Sequence, residues 1–384
     1  MSEPRRQLLG IAALNATSLL AQIGQYGIAF VLFPLALQAR GAAAWQIGVV
    51  SSALWLGMLA GLLMAPSVVA RRGHLATLLC GLAASVLALA LTPWFPLPGW
   101  LATAFVTGLG LGLRWIGLET WMYAVAPVHA RGRIVGLHEA LLGIAAVLGP
   151  VVVAWFGALA ATPFLVAALS VALAVVPLVG TRAIRLVRAP VAPPARASAQ
   201  RLVAELRRYR SAGVLIAGLG GMIEAAWLAL FPVYAAAHGL DAERVAWLLT
   251  LFGIGAMAWQ FPIGWLADAT GLRGVALGVA VLTLVSALLS APLIPHAVPF
   301  ALLTFLLGGL MSSFLTLGIM AATLAEHPGE LDAEVSRVSI AYTALAAVGP
   351  VVAGGLVTAG GPSMLMIVVG VFAVVLGVSL KWFR

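Results

Sequence analysis

The chain has 384 residues, of which 63% are hydrophobic and only 9% charged, and its mean hydropathy is +1.10. A soluble domain carries about 25% charged residues, so composition excludes a soluble protein and leaves no length for a sizeable soluble domain. The net charge of +9 would suit a nucleic-acid binder, but the arginines sit in short loops between apolar runs. That is the pattern of membrane topology, in which lysine and arginine gather on the cytoplasmic side.

Each bilayer crossing needs about 20 apolar residues. Apolar runs lie near 9–38, 45–70, 75–94, 99–125, 134–158 and 161–180, and a second set near 212–237, 245–267, 274–294, 298–325, 336–359 and 363–382. Twelve spans are therefore expected. The opening stretch Met1–Gly10 has the look of a signal-peptide start, but the run behind it continues to about residue 39 without a cleavage site. It is read as the first span. The single cysteine, Cys80, lies in an apolar run and has no internal disulfide partner.

Between the two sets lies 181–210, with Arg182, Arg185, Arg188, Arg196, Arg201, Arg207, Arg208 and Arg210 set against Glu205, and with Pro190, Pro193 and Pro194. This is the expected cytoplasmic basic linker between an N-terminal half (1–180) and a C-terminal half (211–384). Part of it, Gln200–Tyr209, has the pattern of a short helix on the membrane surface. Threading the spans from there puts Arg5, Arg6, Arg71, Arg72, Arg131, Arg133, Arg273, Arg337, Lys381 and Arg384 on the cytoplasmic side, and both termini with them. Arg40 and Arg244 fall outside, and Arg114 falls within the membrane.

The halves repeat. Leu32-Phe33-Pro34 with Arg40-Gly41 returns as Leu230-Phe231-Pro232 with His238-Gly239, an offset of 198. Phe105-Val-Thr-Gly108 returns as Phe305-Leu-Leu-Gly308, and Gly149-Pro150 as Gly349-Pro350, an offset of 200. Repeated six-helix halves around a midplane site are a transporter architecture.

Ionisable residues inside spans are costly and so point to function. Arg114 stands midway through the fourth span, in Gly108-Leu-Gly-Leu-Gly-Leu-Arg114-Trp115. It suits an anionic solute group or proton coupling, or else an internal ion pair with Glu224. Glu119 is about 140° round the helix from Arg114, so the two address different neighbours. Glu139, beside His138, lies at a depth similar to that of Glu119 on the next span. Facing carboxylates at that depth cannot both ionise cheaply, which is how a proton site is made; alternatively Glu139 faces the cytoplasmic vestibule or bonds Arg131 or Arg133. Glu224 is near the middle of the seventh span, and under the 198 offset its counterpart is Tyr26, next to Gln25. Three carboxylates against one arginine leave an excess of two negative charges, which favours protons or a cationic or neutral amphiphilic solute. Trp115 and Trp227 flank the mid-membrane charges and have the shape to stack a ligand, although packing is the plainer role. Trp94, Trp100 and Trp382 sit where interfacial anchors belong. No Walker A motif, metal-ligand spacing or Ser-His-Asp arrangement is present, so neither cofactor nor metal is expected, and an enzyme is not.

Gly264-Trp-Leu-Ala-Asp268-Ala-Thr-Gly271-Leu-Arg273, between the eighth and ninth spans, is similar to the G-x-L-A-D-x-x-G-x-R motif of the major facilitator superfamily. Together with twelve spans and a basic central loop, it makes the whole chain resemble that family. Ile47-Gly-Val-Val-Ser-Ser, Ala65-Pro66 with Arg72-Gly73-His74, Glu119-Thr-Trp121 and Arg131-Gly132-Arg133 resemble its YcaD-like branch. The resemblance implies an all-α fold of two pseudo-symmetric six-helix halves, with spans one, four, seven and ten lining the cavity. It also implies a gate at Gly264, Asp268, Gly271 and Arg273, with Arg131 and Arg133. The N-terminal loop departs from the motif, having Ala70 where the family has Asp. Arg114 followed by Gly117 matches the family's R-x-x-x-x-x-G only loosely. Gly149-Pro150 and Gly349-Pro350 resemble fragments of the antiporter motif and tilt the reading slightly towards export.

The function expected is a proton-coupled secondary transporter of a small organic solute, acting as a monomer in the inner membrane by alternating access. Arg114, Glu119, Glu139, Glu224, Tyr26, Gln25, Trp115 and Trp227 are its candidate site. The alternatives are proton-coupled uptake of an anionic solute at Arg114, or a sensor or partner protein that keeps the fold.

Overall fold

The computed structural model describes residues 3–127, 130–183, 212–323 and 331–380, and among them there is no strand. Most of the basic linker, with the surface helix expected at Gln200–Tyr209, lies outside the described residues, as do Lys381, Trp382 and Arg384. The helices are α1 (Glu3–Gln22), a π-helical segment (Ile23–Ile28) running directly into α2 (Ala29–Ala39), α3 (Ala44–Leu91), α4 (Leu97–Val125), α5 (Arg131–Phe156) and α6 (Thr162–Leu173). These are followed by α7 (Ala212–Ala237), α8 (Ala242–Thr270), α9 (Leu272–Leu293), α10 (Ala297–Thr323), α11 (Leu331–Gly360) and α12 (Met364–Ser379).

Among the described residues ten helices are long and apolar enough to cross a bilayer, by length and composition, and Met364–Ser379 is a shorter apolar one. One of the ten, Ala44–Trp94, has 51 residues, over twice what a crossing takes at about 20 residues. It is broken at Gly73, where φ is +83° and ψ is 168°. The second and third expected spans meet there. The other half turns at Gly271, φ +101°, 198 positions on. A side chain at positive φ meets its own backbone, so both loops carry glycine at the turn for the same reason.

Large apolar side chains stay exposed on α3, α5, α8, α9, α10 and α12, among them Leu87, Trp155, Phe261, Leu288, Leu302 and Val371. An apolar outside of this extent fits a lipid surround. Between helices, lipid tails are as apolar as leucine, so association depends on close packing of small residues. The repeat delivers that packing twice. A Cβ at Gly57 would run into the carbonyl oxygen of Phe105, and one at Gly108 into that of Leu54, so α3 and α4 touch backbone to backbone. In the second half, Gly255 meets the Phe305 carbonyl and Gly308 that of Phe252, locking α8 to α10. Gly149 lies on Gly27, and Gly349 on the carbonyl of Met222. The Gly-Pro echoes thus bring α5 onto the π segment and α11 onto α7.

The halves touch through α3 against α11 and through α5 against α8. Gly48 lies on the Pro350 carbonyl, the Trp45 amide donates to Thr358 Oγ1 at 3.0 Å, and Gly253 lies against Ala146. Trp45, Gly48, Gly354 and Thr358 all belong to the face opposite the N-terminus. On that face Trp100 corrects one expectation. It is no interfacial anchor but is 3% exposed, packed edge-on against Phe33 and Phe164 and covered by the Arg40 guanidinium at 4.8 Å. Trp94, 64% exposed, does stand at the surface.

Candidate functional site

Arg114 is 1% exposed, and each of its three guanidinium nitrogens donates to a neutral side chain of α1 or the π segment. Nε reaches Gln25 Oε1 at 2.9 Å, one terminal nitrogen Gln22 Oε1 at 2.5 Å, and the other Ser18 Oγ at 3.2 Å. Gln25 passes the connection on, its amide donating to Ser85 Oγ at 2.6 Å, and Ser85 donates to the Thr107 carbonyl at 3.2 Å. The Trp115 ring lies 5.6 Å from the guanidinium carbon. The expected alternatives for Arg114 included an ion pair with Glu224; among the described residues Arg114 is in no ion pair.

Glu224 is 5% exposed. Tyr342 of α11 donates to its Oε2 at 2.7 Å, and Ser312 of α10 donates to Oε1 at 3.2 Å. From Tyr342 a chain of rings crosses into the other half. The centroids of Tyr342 and Trp55 are 6.0 Å apart, those of Trp55 and Phe30 4.8 Å, and those of Phe30 and Tyr26 4.8 Å. Tyr26 and Trp55 stand edge to face at 6.4 Å, and Tyr26 is close enough to Glu224 to feel its charge. The repeat thus brings Tyr26 and Glu224, its two equivalent positions, to one place at the junction of the halves. Gln25 and Tyr26 are adjacent in the π segment yet serve different centres, the first Arg114 and the second Glu224.

Trp227 is set apart from both. It is 1% exposed and stacked between Phe231 and Phe252, with centroids at 4.3 and 4.5 Å. It packs within the second half.

Glu119 meets His138 Nε2 at 3.7 Å, and His138 Nδ1 lies 3.0 Å from Asn15 Oδ1. Glu139 is exposed, with Glu119 and His138 near enough for their charges to act on it. The two carboxylates therefore share one neighbourhood, and a histidine on α5 ties it to α1. Close by, His74 Nδ1 pairs with Thr120 Oγ1 at 3.2 Å and its ring stacks on Trp121 at 6.1 Å.

In the loop between α8 and α9, Asp268 and Arg273 are exposed around Gly271, and Gly264 has open space about it. Arg133 is exposed; the side chain of Arg131 lies outside the described residues.

Sequence reasoning did not single out Tyr342, Ser312, Trp55, Phe30 or Ser18. A signal existed for some of them. The chain has only five tyrosines, and a tyrosine in an apolar run tends to seek a polar partner. Gln22 and Gln25 bracket one turn of the first span, as two ligands of one group would.

Comparison with known proteins agrees with this geometry. The family model described as Major Facilitator Superfamily matches residues 14–243 and 225–384. The YcaD MFS-type transporter of Escherichia coli O9:H4 (strain HS) is 27% identical over 263 residues, which are 66% of this chain and 65% of that protein. The counterpart in Escherichia coli O7:K1 (strain IAI39 / ExPEC) is 28% identical over 261 residues. The matched stretch thus spans 65% of the length of these relatives. Among solved structures, a mutant of the nucleoside transporter NupG superposes with a TM-score of 0.76 at 14% identity, covering 98% of this chain and 100% of that one. A bacterial homologue of the human lysosomal transporter Spinster, inward-facing and unoccupied, gives 0.75 at 13% identity, covering 100% and 97%. The chain is thus a multi-pass membrane protein that belongs to the Major Facilitator Superfamily.

Proposed function

We propose that the protein is a proton-coupled secondary transporter of a small organic solute, working by alternating access, with export favoured over uptake. The observation that carries this reading is Glu224. A carboxylate buried among helices, with hydroxyl donors and no cationic partner among the described residues, must be neutralised by a proton or by a cationic ligand. It sits where α7, α10 and α11 of one half meet the rings of Trp55 and Tyr26 from the other. Whatever neutralises it therefore changes how the halves fit together, which is the coupling that alternating access needs. Glu119, His138 and Glu139 form a second proton-handling group nearer the N-terminal face.

Both termini are cytoplasmic in this proposal, with the chain divided at the 181–210 linker and acting as a monomer in the inner membrane. The exposed Arg71, Arg72, Arg133 and Arg273 support that orientation by charge. The packing of Trp45 and Gly48 on the opposite face supports a molecule open towards the cytoplasm. Gly264, Asp268, Gly271 and Arg273, with Arg131 and Arg133, form the gate in this reading. Uptake of an anion at Arg114 gains less support, because its guanidinium is enclosed and all three nitrogens are engaged.

The test is thermal stability of the purified protein with a chemically diverse solute panel at pH about 5.5 and 8, since a ligand held at 100 times its Kd stabilises by about 2.7 kcal/mol. A hit whose shift depends on pH and disappears in Glu224→Gln supports the reading. Hits that ignore both would remove Glu224 and protons from the reading, and none from the whole panel would favour a sensor or partner role.

A further inference from the structure

We propose that the transported solute is an organic cation without N–H donors, a quaternary ammonium carrying a flat apolar group, held between Glu224 and the rings of Trp55, Tyr26, Phe30 and Tyr342. This rests on the transport reading and names the solute class for that same site.

The chemistry of the cluster narrows the choice stepwise. An anion is repelled by the one charge present. Calcium or magnesium wants six or more oxygen ligands, whereas the site offers one carboxylate and two hydroxyls, and no group of three or more metal-ligating side chains occurs among the described residues. A primary ammonium brings three donors and needs as many acceptors. Glu224 already accepts from Tyr342 and Ser312, so a primary ammonium would have to share its oxygens with those two hydroxyls, whose lone pairs are the other acceptors there. A quaternary ammonium asks for no hydrogen bond. It needs a counter-charge and aromatic faces within about 6 Å of the charge centre, and from Tyr342, which bonds Glu224, four rings follow one another at spacings of 4.8 to 6.4 Å. Tyr26 is only partly buried, so the ring cluster has an open side.

The location gives such a cation work to do. Phe30, Tyr26 and Trp55 belong to the first half, and Tyr342 and Glu224 to the second, so one bound cation contacts both. The titratable groups facing Glu224 are Tyr26 from the π segment and Tyr342 from α11; α3 and α10 present Trp55 and Ser312, which do not titrate. Proton and cation therefore compete for a single carboxylate, and loading one releases the other. An inward proton gradient would then drive the cation outwards.

The experiment uses the full-length protein in detergent and in proteoliposomes, with phenyltrimethylammonium, its neutral carbon isostere tert-butylbenzene, and benzenesulfonate. The expected result is saturable binding of phenyltrimethylammonium alone, tightening with rising pH by up to about tenfold per unit while a proton must leave. Binding should be lost in Glu224→Gln. It should weaken by about tenfold or more in Trp55→Leu and persist in Trp55→Phe, because a ring face is what the site supplies. Should Glu224→Gln fail to fold, Glu224→Asp and the Trp55 pair decide the matter. Cation binding that survives loss of the carboxylate or of the ring, or that ignores pH, overturns the proposal. Preference for benzenesulfonate or the neutral isostere, with Glu224-dependent proton movement, overturns it too but leaves the transport reading standing. If no probe binds and no proton moves with any solute, both fall together.

Discussion

Arg114→Lys separates a helix-holding arginine from a solute ligand, because it keeps the charge and changes the geometry. The guanidinium serves Gln25, Gln22 and Ser18 at once, at 2.9, 2.5 and 3.2 Å, and these acceptors occupy successive turns of one helix. Guanidinium donors form a fixed planar fork, whereas an ammonium is a single point on a flexible stem. Lysine can satisfy one of the three acceptors well and leaves two. Polar contacts between membrane helices average about 0.6 kcal/mol each and reach about 1.7, so two lost bonds cost about 1–3 kcal/mol. Reversible unfolding in mixed micelles would read this, with Gln25→Leu and Gln22→Leu combined with Arg114→Lys in double-mutant cycles. Coupling of about 0.6–1.7 kcal/mol per pair is expected, with solute binding retained in the folded variant. Stability within about 0.5 kcal/mol of the parent, an ordinary surface-substitution effect, together with lost binding, would refute the reasoning. Arg114 would then be a ligand after all.

Gly57→Leu and Gly255→Leu should each abolish folding or shift the melting transition strongly, since the new side chain would start inside the Phe105 or Phe305 carbonyl; Gly264→Ala, with open space around it, should leave the transition in place. Gly73→Ala and Gly271→Ala should each cost about 1–2 kcal/mol from positive φ alone, and equal losses in an unfolding titration would show the two loops to be equivalent. Trp227→Leu should destabilise by up to about 3–5 kcal/mol, the range for truncating a large buried aromatic, and should spare the binding constant of whatever solute the Glu224 site takes. A specific loss of binding without destabilisation would move Trp227 into that site.

Much of the architecture was legible because backbone contact permits few residues. Phe105 to Gly108 and Phe305 to Gly308 repeat since each pair supplies a carbonyl to one neighbouring glycine and a bare Cα to another carbonyl. Gly73 and Gly271 recur because the turn needs positive φ. The pairing of Arg114 was not legible. A buried arginine among three carboxylates suggested an ion pair, yet neutral amides 89 and 92 positions away hold it. Which face of one helix meets which face of another depends on rotation, and composition carries no record of that. Trp100 misled for a related reason, since a tryptophan at a span end is placed by its neighbours Phe33, Phe164 and Arg40 as readily as by lipid. The repeat did foretell that Tyr26 and Glu224 occupy equivalent positions. It did not foretell that the two would meet, with Trp55 and Tyr342 beside them.

The π-helical segment at Ile23–Ile28 has a consequence for how this helix tolerates insertion and deletion. The Ala29 amide reaches back to the Gly24 carbonyl, five residues rather than four, so the segment carries one residue more than an α-helix would use there. Each residue turns an α-helix by about 100°. The wider π turn takes up the surplus residue locally, so removing one residue from this stretch would restore ordinary pitch and leave the two flanking helices close to their present mutual orientation. The side chains inside the stretch, Gln25 and Tyr26, are the ones that would be re-aimed, away from Arg114 or from the Glu224 cluster. The surplus residue is what lets one rod present two differently aimed faces, and its length is therefore under tighter constraint than its apolar composition suggests.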